Sequence, residues 1–490
     1  MEMLFYALRF IGVIFLVLMI FNVMIIVHEW GHFLAGRWRG LAIDRFQIWF
    51  GKPIWKKTYN GVQYGLGTIP FGGFVSLPQM VTMESIEGEV EEERKEELPA
   101  ITPLDKIIVA FAGPFFSFLL AVFFALIVWA VKRPEVEASA TTTIGYVGKD
   151  TAAEKAGIEV GDVIKSVDGV KIKRFMGMGD SITWAVVSSE KDQMEVVLER
   201  PGEGEKRLMA NVPRSEAKEL KGPWWRKTFS FLTARPPLRK LGVGPYFTSI
   251  VEDVLPNSPA EIGGMKGGDE IVSIDGKGAH FYNTAFNEWK EGKTYHLVVD
   301  RDGKKIDVDV QPRSPDRGKD PTGEKITDPM LGASWAGGGK RKLIRESPVS
   351  QVANGFMSIV KTLRAVFSSK SDITASHLSG PVGIMGMFFD MLFSHKDGWR
   401  LVLWFSVVLN VNLGILNLLP FPVLDGGHIT MAVAEWIRKR PVPLKFLEIV
   451  QTGFVFLLLG YMAFITLKDV GDRVPDGGGK GEAVGYNPEK

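Results

Sequence analysis

Cysteine is absent from all 490 residues, which excludes disulfides, thiolate metal ligands and a cysteine nucleophile. Histidine is scarce, with 7 in the chain, so any bound metal must be held by those few imidazoles or by carboxylates. Neither sign of charge dominates: 58 basic and 56 acidic residues leave a net charge of +2. Without a basic surplus there is no electrostatic footprint for nucleic acid, which is not an expected partner. The N-terminal apolar run also lacks a basic stretch before it and a small-residue cleavage site after it. It therefore reads as a retained transmembrane helix and not as a signal peptide.

A mean hydropathy of +0.08 combined with 23% charged residues means that very apolar blocks alternate with ordinary polar ones. Apolar runs fall at 4–27, 107–131, 400–419 and 446–467, each near the ~20 residues a bilayer-spanning helix requires. The third carries Asn410, Asn412 and Asn417, which are costly in lipid and are expected to face protein or a wet cavity. Basic residues cluster after the first run (Arg37, Arg39, Arg45, Lys52, Lys56, Lys57) and between the third and fourth (Arg438, Lys439, Arg440, Lys445). Those short loops read as cytoplasmic, which places the N-terminus and the long middle region outside; Lys132 and Arg133 oppose this but are fewer.

The middle region repeats itself. AEKAGIEVGDVIKSVDG (153–169) aligns without a gap on AEIGGMKGGDEIVSIDG (260–276). The shared frame predicts a short helix, a Gly-Asp turn, an alternating strand and an Asp-Gly hairpin turn. It resembles the PDZ domain, a fold that takes extended peptides or chain ends by strand addition. Peptide chain ends are thus expected partners, with a rigid spacer as the alternative. The acidic stretch 83–99 reads as a solvated cytoplasmic segment, and 313–342 as a linker. Residues 347–367 read as an amphipathic helix along the membrane surface.

The chemistry sits in VHEWGH (27–32), at the end of the first apolar run. On a helix His28 and His32 share one face, with Glu29 one step round. Two imidazoles on one ion and a carboxylate beside a water is the arrangement of zinc hydrolases. A bare pair of imidazoles with a carboxylate at a membrane helix is expensive without a use. A third protein ligand is needed. Asp425, in NLLPFPVLDGGH (417–428), is the candidate, and His428 is the alternative. Pro420 and Pro422 before it would break the third helix and open the backbone there.

Six elements occur in order along nearly the whole chain: HEWGH (28–32), GTIPFGGFVSL (67–77), AGPFFSF (112–118), the two repeat frames, SGPVGI (379–384) and NVNLGILNLLPFPVLDGGH (410–428). Together they resemble the site-2 proteases, intramembrane zinc metalloproteases, and most nearly their bacterial sigma-E-regulator branch. The resemblance implies one Zn2+ per chain on His28, His32 and Asp425, with Glu29 as the catalytic carboxylate. It also assigns Asn417, Pro420 and Pro422 to substrate handling. Ser117 stands where this family commonly has Asn, and no role is carried onto it. GTIPFGGFVSL reads as a flexible strand or loop dipping toward the site, with Gly72 and Gly73 in the part that would clamp a substrate.

The expected fold is a multi-pass α-helical membrane protein with four transmembrane helices and an inserted tandem of two PDZ-like α/β domains. The divisions are 1–139 (two helices, HEWGH and a hairpin loop), 140–215 and 240–315 (the PDZ-like domains), 316–398 (linker and surface helices), 399–470 (two helices with LDGG) and 471–490 (disordered tail). The resemblance implies substrates that are single-span membrane proteins of the anti-sigma-factor or remnant-signal-peptide type. They would be cut after an outer cleavage, with the tandem gating access. The implied location is the bacterial inner membrane, with the PDZ-like domains periplasmic and the active site toward the cytoplasm. A membrane-anchored PDZ adaptor with a non-catalytic metal site is the competing reading. A metal transporter is the third, and it would need more than one polar span.

Overall fold

The computed structural model describes residues 2–80, 98–214, 232–320, 323–394, 397–440, 444–473 and 484–487. The acidic stretch 83–99 therefore lies outside the described residues except for its last two. The longer helices, in chain order, are α1 (Glu2–Trp38), α2 (Pro103–Val131), α3 (Pro348–Phe367), α4 (Pro381–Ser394), α5 (Gly398–Asn417), α6 (Asp425–Arg438) and α7 (Leu444–Gly471). Of these, α1, α2, α5 and α7 are long and apolar enough to cross a membrane. The chain fits a multi-pass membrane protein.

Helix α1 does not stop at the end of its apolar run. It continues through HEWGH to Trp38, so the two histidines sit within the helix and not at its end. Helix α2 opens with a capping box: the Thr102 hydroxyl accepts from Asp105 N–H at 3.2 Å, and the Asp105 carboxylate accepts from Thr102 N–H at 3.0 Å. Arg39, just past α1, reaches the same carboxylate at 2.6 Å and pins the two helices together. Glycines let α2 approach both neighbours. A Cβ at Gly31 would stand 2.5 Å from the Ala112 carbonyl oxygen, and one at Gly414 2.9 Å from the Phe118 ring. Small residues at such crossings are how membrane helices pack closely. Asn410 of α5 is fully buried within protein, where its amide donates to the Ser406 carbonyl at 2.8 Å.

Between α1 and α2 lies a sheet of β1 (Arg45–Phe50), β2 (Trp55–Tyr59), β3 (Val62–Leu66) and β4 (Ile69–Ser76), in the order β2-β3-β1-β4. The glycine-rich stretch is thus the edge strand β4, antiparallel to β1. Phe33, Phe46, Val75, Leu77 and Val109 form a shared core that seats this sheet on α1 and α2.

Strand β5 (Arg133–Val136) leaves α2, and β18 (Arg341–Ile344) returns to α3; the two pair antiparallel. Among the described residues, both repeats lie between these two strands. The two repeats fold alike. The first has β6 (Ile144–Val147), β7 (Val163–Val167), β8 (Val170–Lys171), β9 (Gln193–Arg200) and β10 (Gly204–Asn211), and its β6 is completed by β11 (Val243–Pro245). The second has β12 (Ser249–Val254), β13 (Glu270–Ile274), β14 (Lys277–Gly278), β15 (Tyr295–Arg301) and β16 (Lys304–Val310), and its β12 is completed by β17 (Ala333–Trp335).

The Gly-Asp turn of the frame does the same work twice. Asp162 takes a two-pronged contact from Arg200 at 2.8 and 2.8 Å; Asp269 takes one from Arg301 at 2.6 and 2.7 Å. Each arginine also donates to a backbone carbonyl, Gly157 at 2.7 Å and Gly264 at 2.8 Å. Part of the stretch read as a linker therefore forms strands, β17 and β18. Three- and four-residue strands among Gly, Asp and Lys carry no readable period. Of the stretch read as a tail, residues 484–487 pack against the second repeat, with Tyr486 only 6% exposed.

Candidate metal centre

Helix α1 presents His28 and His32 one turn apart, both buried, toward α2 and α6. The chain reaches Asp425 by a sharp reversal. Helix α5 ends at Asn417, residues 418–424 turn, and α6 starts at Asp425 itself. The two glycines after it are what that reversal demands. A Cβ at Gly427 would stand 2.9 Å from Pro422 Cα, and one at Gly426 would run into the backbone of Leu418 and Leu419. Pro422 is fixed from the other side, where its carbonyl accepts from Gln451 of α7 at 3.2 Å. Asn417 closes α5, and Pro420 and Pro422 lie in the turn that delivers Asp425.

That set is His28, His32 and Asp425, all buried. His28 Nε2 lies 3.2 Å from Asp425 Oδ2, His32 Nε2 lies 3.3 Å from Asp425 Oδ1, and the two Nε2 atoms are 3.3 Å apart. Each imidazole faces its own carboxylate oxygen, at spacings that ligand atoms about 2.0–2.1 Å from one shared ion can adopt. The other ring nitrogens fix the direction of the lone pairs. His32 Nδ1 donates to the Val109 carbonyl at 2.8 Å, which leaves Nε2 as a bare acceptor facing its neighbours. His28 Nδ1 is 3.0 Å from the hydroxyl of the fully buried Ser117. Acceptor atoms converging in a buried site repel unless a cation sits among them. Asp425 Oδ2 accordingly makes no hydrogen bond. The residues fit a metal ion, and among the described residues no other such group occurs. His428, the alternative ligand, is buried in α6 but is not one of the converging donors.

Glu29 lies between the ligand cluster and the sheet. The Val75 backbone of β4 hydrogen-bonds its carboxylate, while its Oε2 is buried and hydrogen-bonded to nothing. Gly73 of β4 lies alongside: a Cβ there would be 3.6 Å from Glu29 Cγ. Gly72 has φ +76 and lies against the Phe50 ring, so both glycines keep the edge strand close to Glu29.

Three features escaped the sequence reading: the supports Ser117 and Val109, and Gly113. AGPFFSF brings Gly113 against both imidazoles, and a Cβ there would be 2.8 Å from His28 Nε2. Only the presence of a Ser in that motif was visible beforehand, without its partner.

Peptidase family M50 matches residues 15–461. A Neisseria meningitidis protein named as a zinc metalloprotease is 29% identical over 92% of this chain and 97% of its own length. The regulator of sigma-E protease RseP of Escherichia coli is 28% identical over 90% of this chain and 95% of its own. Protease RseP of Yersinia pestis is 28% identical over 89% of this chain and 94% of its own.

Proposed function

The chain belongs to peptidase family M50, and from that premise we propose that His28, His32 and Asp425 hold one zinc ion and that Glu29 is the catalytic carboxylate of an intramembrane metalloprotease. The observation that carries this is the convergence of two imidazole nitrogens and the Asp425 carboxylate, with contacts of 3.2–3.3 Å, drawn from two separate stretches of chain. Bound zinc supplies Lewis acidity, lowering the pKa of water and polarising a peptide carbonyl. The protein does the rest. Ser117 and Val109 aim the imidazoles. Glu29, whose free oxygen is buried beside the ligands, takes the proton from the attacking water and returns it to the departing amide nitrogen.

A transmembrane substrate is helical, and its peptide groups are shielded by their own hydrogen bonds. The edge strand β4 offers unpaired backbone beside Glu29, where an unwound segment can add as a strand. The substrates are then single-span membrane proteins of the anti-sigma-factor or remnant-signal-peptide class. The repeats act as PDZ-like domains that admit only outer-trimmed chains. The basic loops put the repeats on the periplasmic side of a bacterial inner membrane and the metal centre toward the cytoplasm.

Glu29→Gln separates this from a membrane-anchored adaptor. A protease keeps its zinc and loses cleavage of a reconstituted single-span substrate by at least ~100-fold. Unchanged cleavage or unchanged biological activity in that variant favours the adaptor.

A further inference from the structure

The end of the chain is gripped by the second repeat at a place that has a counterpart in the first. After β16 comes Gln-Pro-Arg-Ser (311–314); after β10 comes Val-Pro-Arg-Ser (212–215). In the second repeat Arg313 donates to the Asn487 carbonyl at 3.2 Å and to the Asn257 carbonyl at 2.7 Å, and its guanidinium lies 5.0 Å from the centre of the Tyr486 ring. Gly485 and Arg317 exchange backbone hydrogen bonds at 3.0 and 3.2 Å, and Asn487 N–H donates to Asp316 at 2.7 Å. Tyr486 fills the space beside Gly332, where a Cβ would stand 2.7 Å from its ring.

In the first repeat Arg214 donates to the carbonyls of Ser369, at 3.4 Å, and Lys370. The same segment carries Asp372, which takes the guanidinium of the fully buried Arg239 at 2.8 Å. Each repeat thus uses the arginine after its last hairpin strand to hold a distant segment attached to the helical part. Residues 368–372 follow α3, and 484–487 follow α7.

We propose that this arginine-bearing edge is a docking surface for the chain's own membrane-linked segments, and that Gly485–Asn487 form a clasp tying the second repeat to the outer end of α7. The ten residues 474–483 span at most roughly 36 Å. The docked tail therefore limits how far the second repeat can move from α7, and a short connection keeps the effective concentration of the clasp near millimolar. The outer end of α7 is itself anchored. Asp469 accepts from the N–H groups of Gly380 and Gly383, at 3.0 and 2.8 Å, and from Arg235 at 2.7 Å. With α5 and α7 both crossing, the tail lies on the same side as the repeats, as the docking requires. Any effect on access to the metal centre rests on the reading of the repeats as a gate.

The test is amide hydrogen exchange on the full-length protein in lipid nanodiscs. The amides of Gly485, Asn487 and Arg317 should exchange slowly in wild type. They should exchange at least tenfold faster at Arg317 in a chain ending at residue 483, and likewise at all three positions in Tyr486→Ala, with β15 and β16 unaffected. Free-chain exchange of Gly485 and Asn487 in wild type, or unchanged exchange of Arg317 in the shortened chain, overturns the clasp. Cleavage is scored separately. If the clasp opens and an untrimmed substrate is still excluded, the gate does not depend on the clasp; cleavage of that substrate by wild type overturns the gating reading while the docking surface stands.

Discussion

Gly113 of α2 lies so close to His32 that a side chain there would enter the metal centre: its Cβ would stand 2.5 Å from His32 Cε1 and nearer still to Nε2. The neighbouring helix is therefore part of the site through what it lacks. Gly113→Ala should purify as a folded membrane protein by circular dichroism, since α2 gains helix propensity. It should carry little or no zinc. Wild-type zinc content in that variant would mean that the two helices stand farther apart than described.

Ser117, fully buried on α2, contacts His28 Nδ1 at 3.0 Å. A partner on the far nitrogen of a ligating imidazole fixes its tautomer and orientation, and losing such a partner typically costs about 10–100-fold in metal affinity. Ser117→Ala should weaken zinc binding by that factor in competition with a chelator of known affinity, with Ser117→Thr restoring most of it. No change in affinity would reduce Ser117 to a packing residue.

The repeats should share an acid limit. Burial alone would raise the Asp162 and Asp269 carboxyls, but the Arg200 and Arg301 guanidinia and the backbone N–H groups of Glu159 and Lys266 pull both below the usual carboxylate range. A carboxylate depressed in the folded state contributes stability above its unfolded pKa, near ~3.9, and loses it as the pH falls through the folded value. Unfolding of the repeats, followed by tryptophan emission, should therefore be insensitive to pH from ~7 to ~5 and steepen below ~4. Asp162→Asn should destabilise the first repeat at neutral pH and flatten its loss of stability below pH ~4, because Arg200 loses its charged partner. A variant as stable as wild type would contradict the role given to that turn.

The spans, the repeat and the histidine half of the candidate donor set were legible because each rests on a local pattern: apolar run length, a shared seventeen-residue frame and the i,i+4 spacing of His28 and His32. What is non-local was not. Arg200 lies 38 residues beyond Asp162 in sequence, and nothing in the frame marks it as the partner. Gly113 and Ser117 act across a helix–helix contact 81 or more residues from the histidines in sequence. Helix α6 escaped because Asp-Gly-Gly reads as a turn by propensity. Here it begins a helix because the preceding turn packs its backbone directly on those glycines. Strand β17 became visible only through pairing with β12, since three residues cannot show a period.

The most direct measurement is zinc per chain in purified full-length protein, wild type beside Asp425→Ala, by atomic emission after exhaustive desalting. Wild type should hold one zinc per chain and Asp425→Ala well under a tenth of that, with both eluting as the same species in detergent. Equal zinc in the two would show that Asp425 is not a ligand and that these converging donors are not the metal centre.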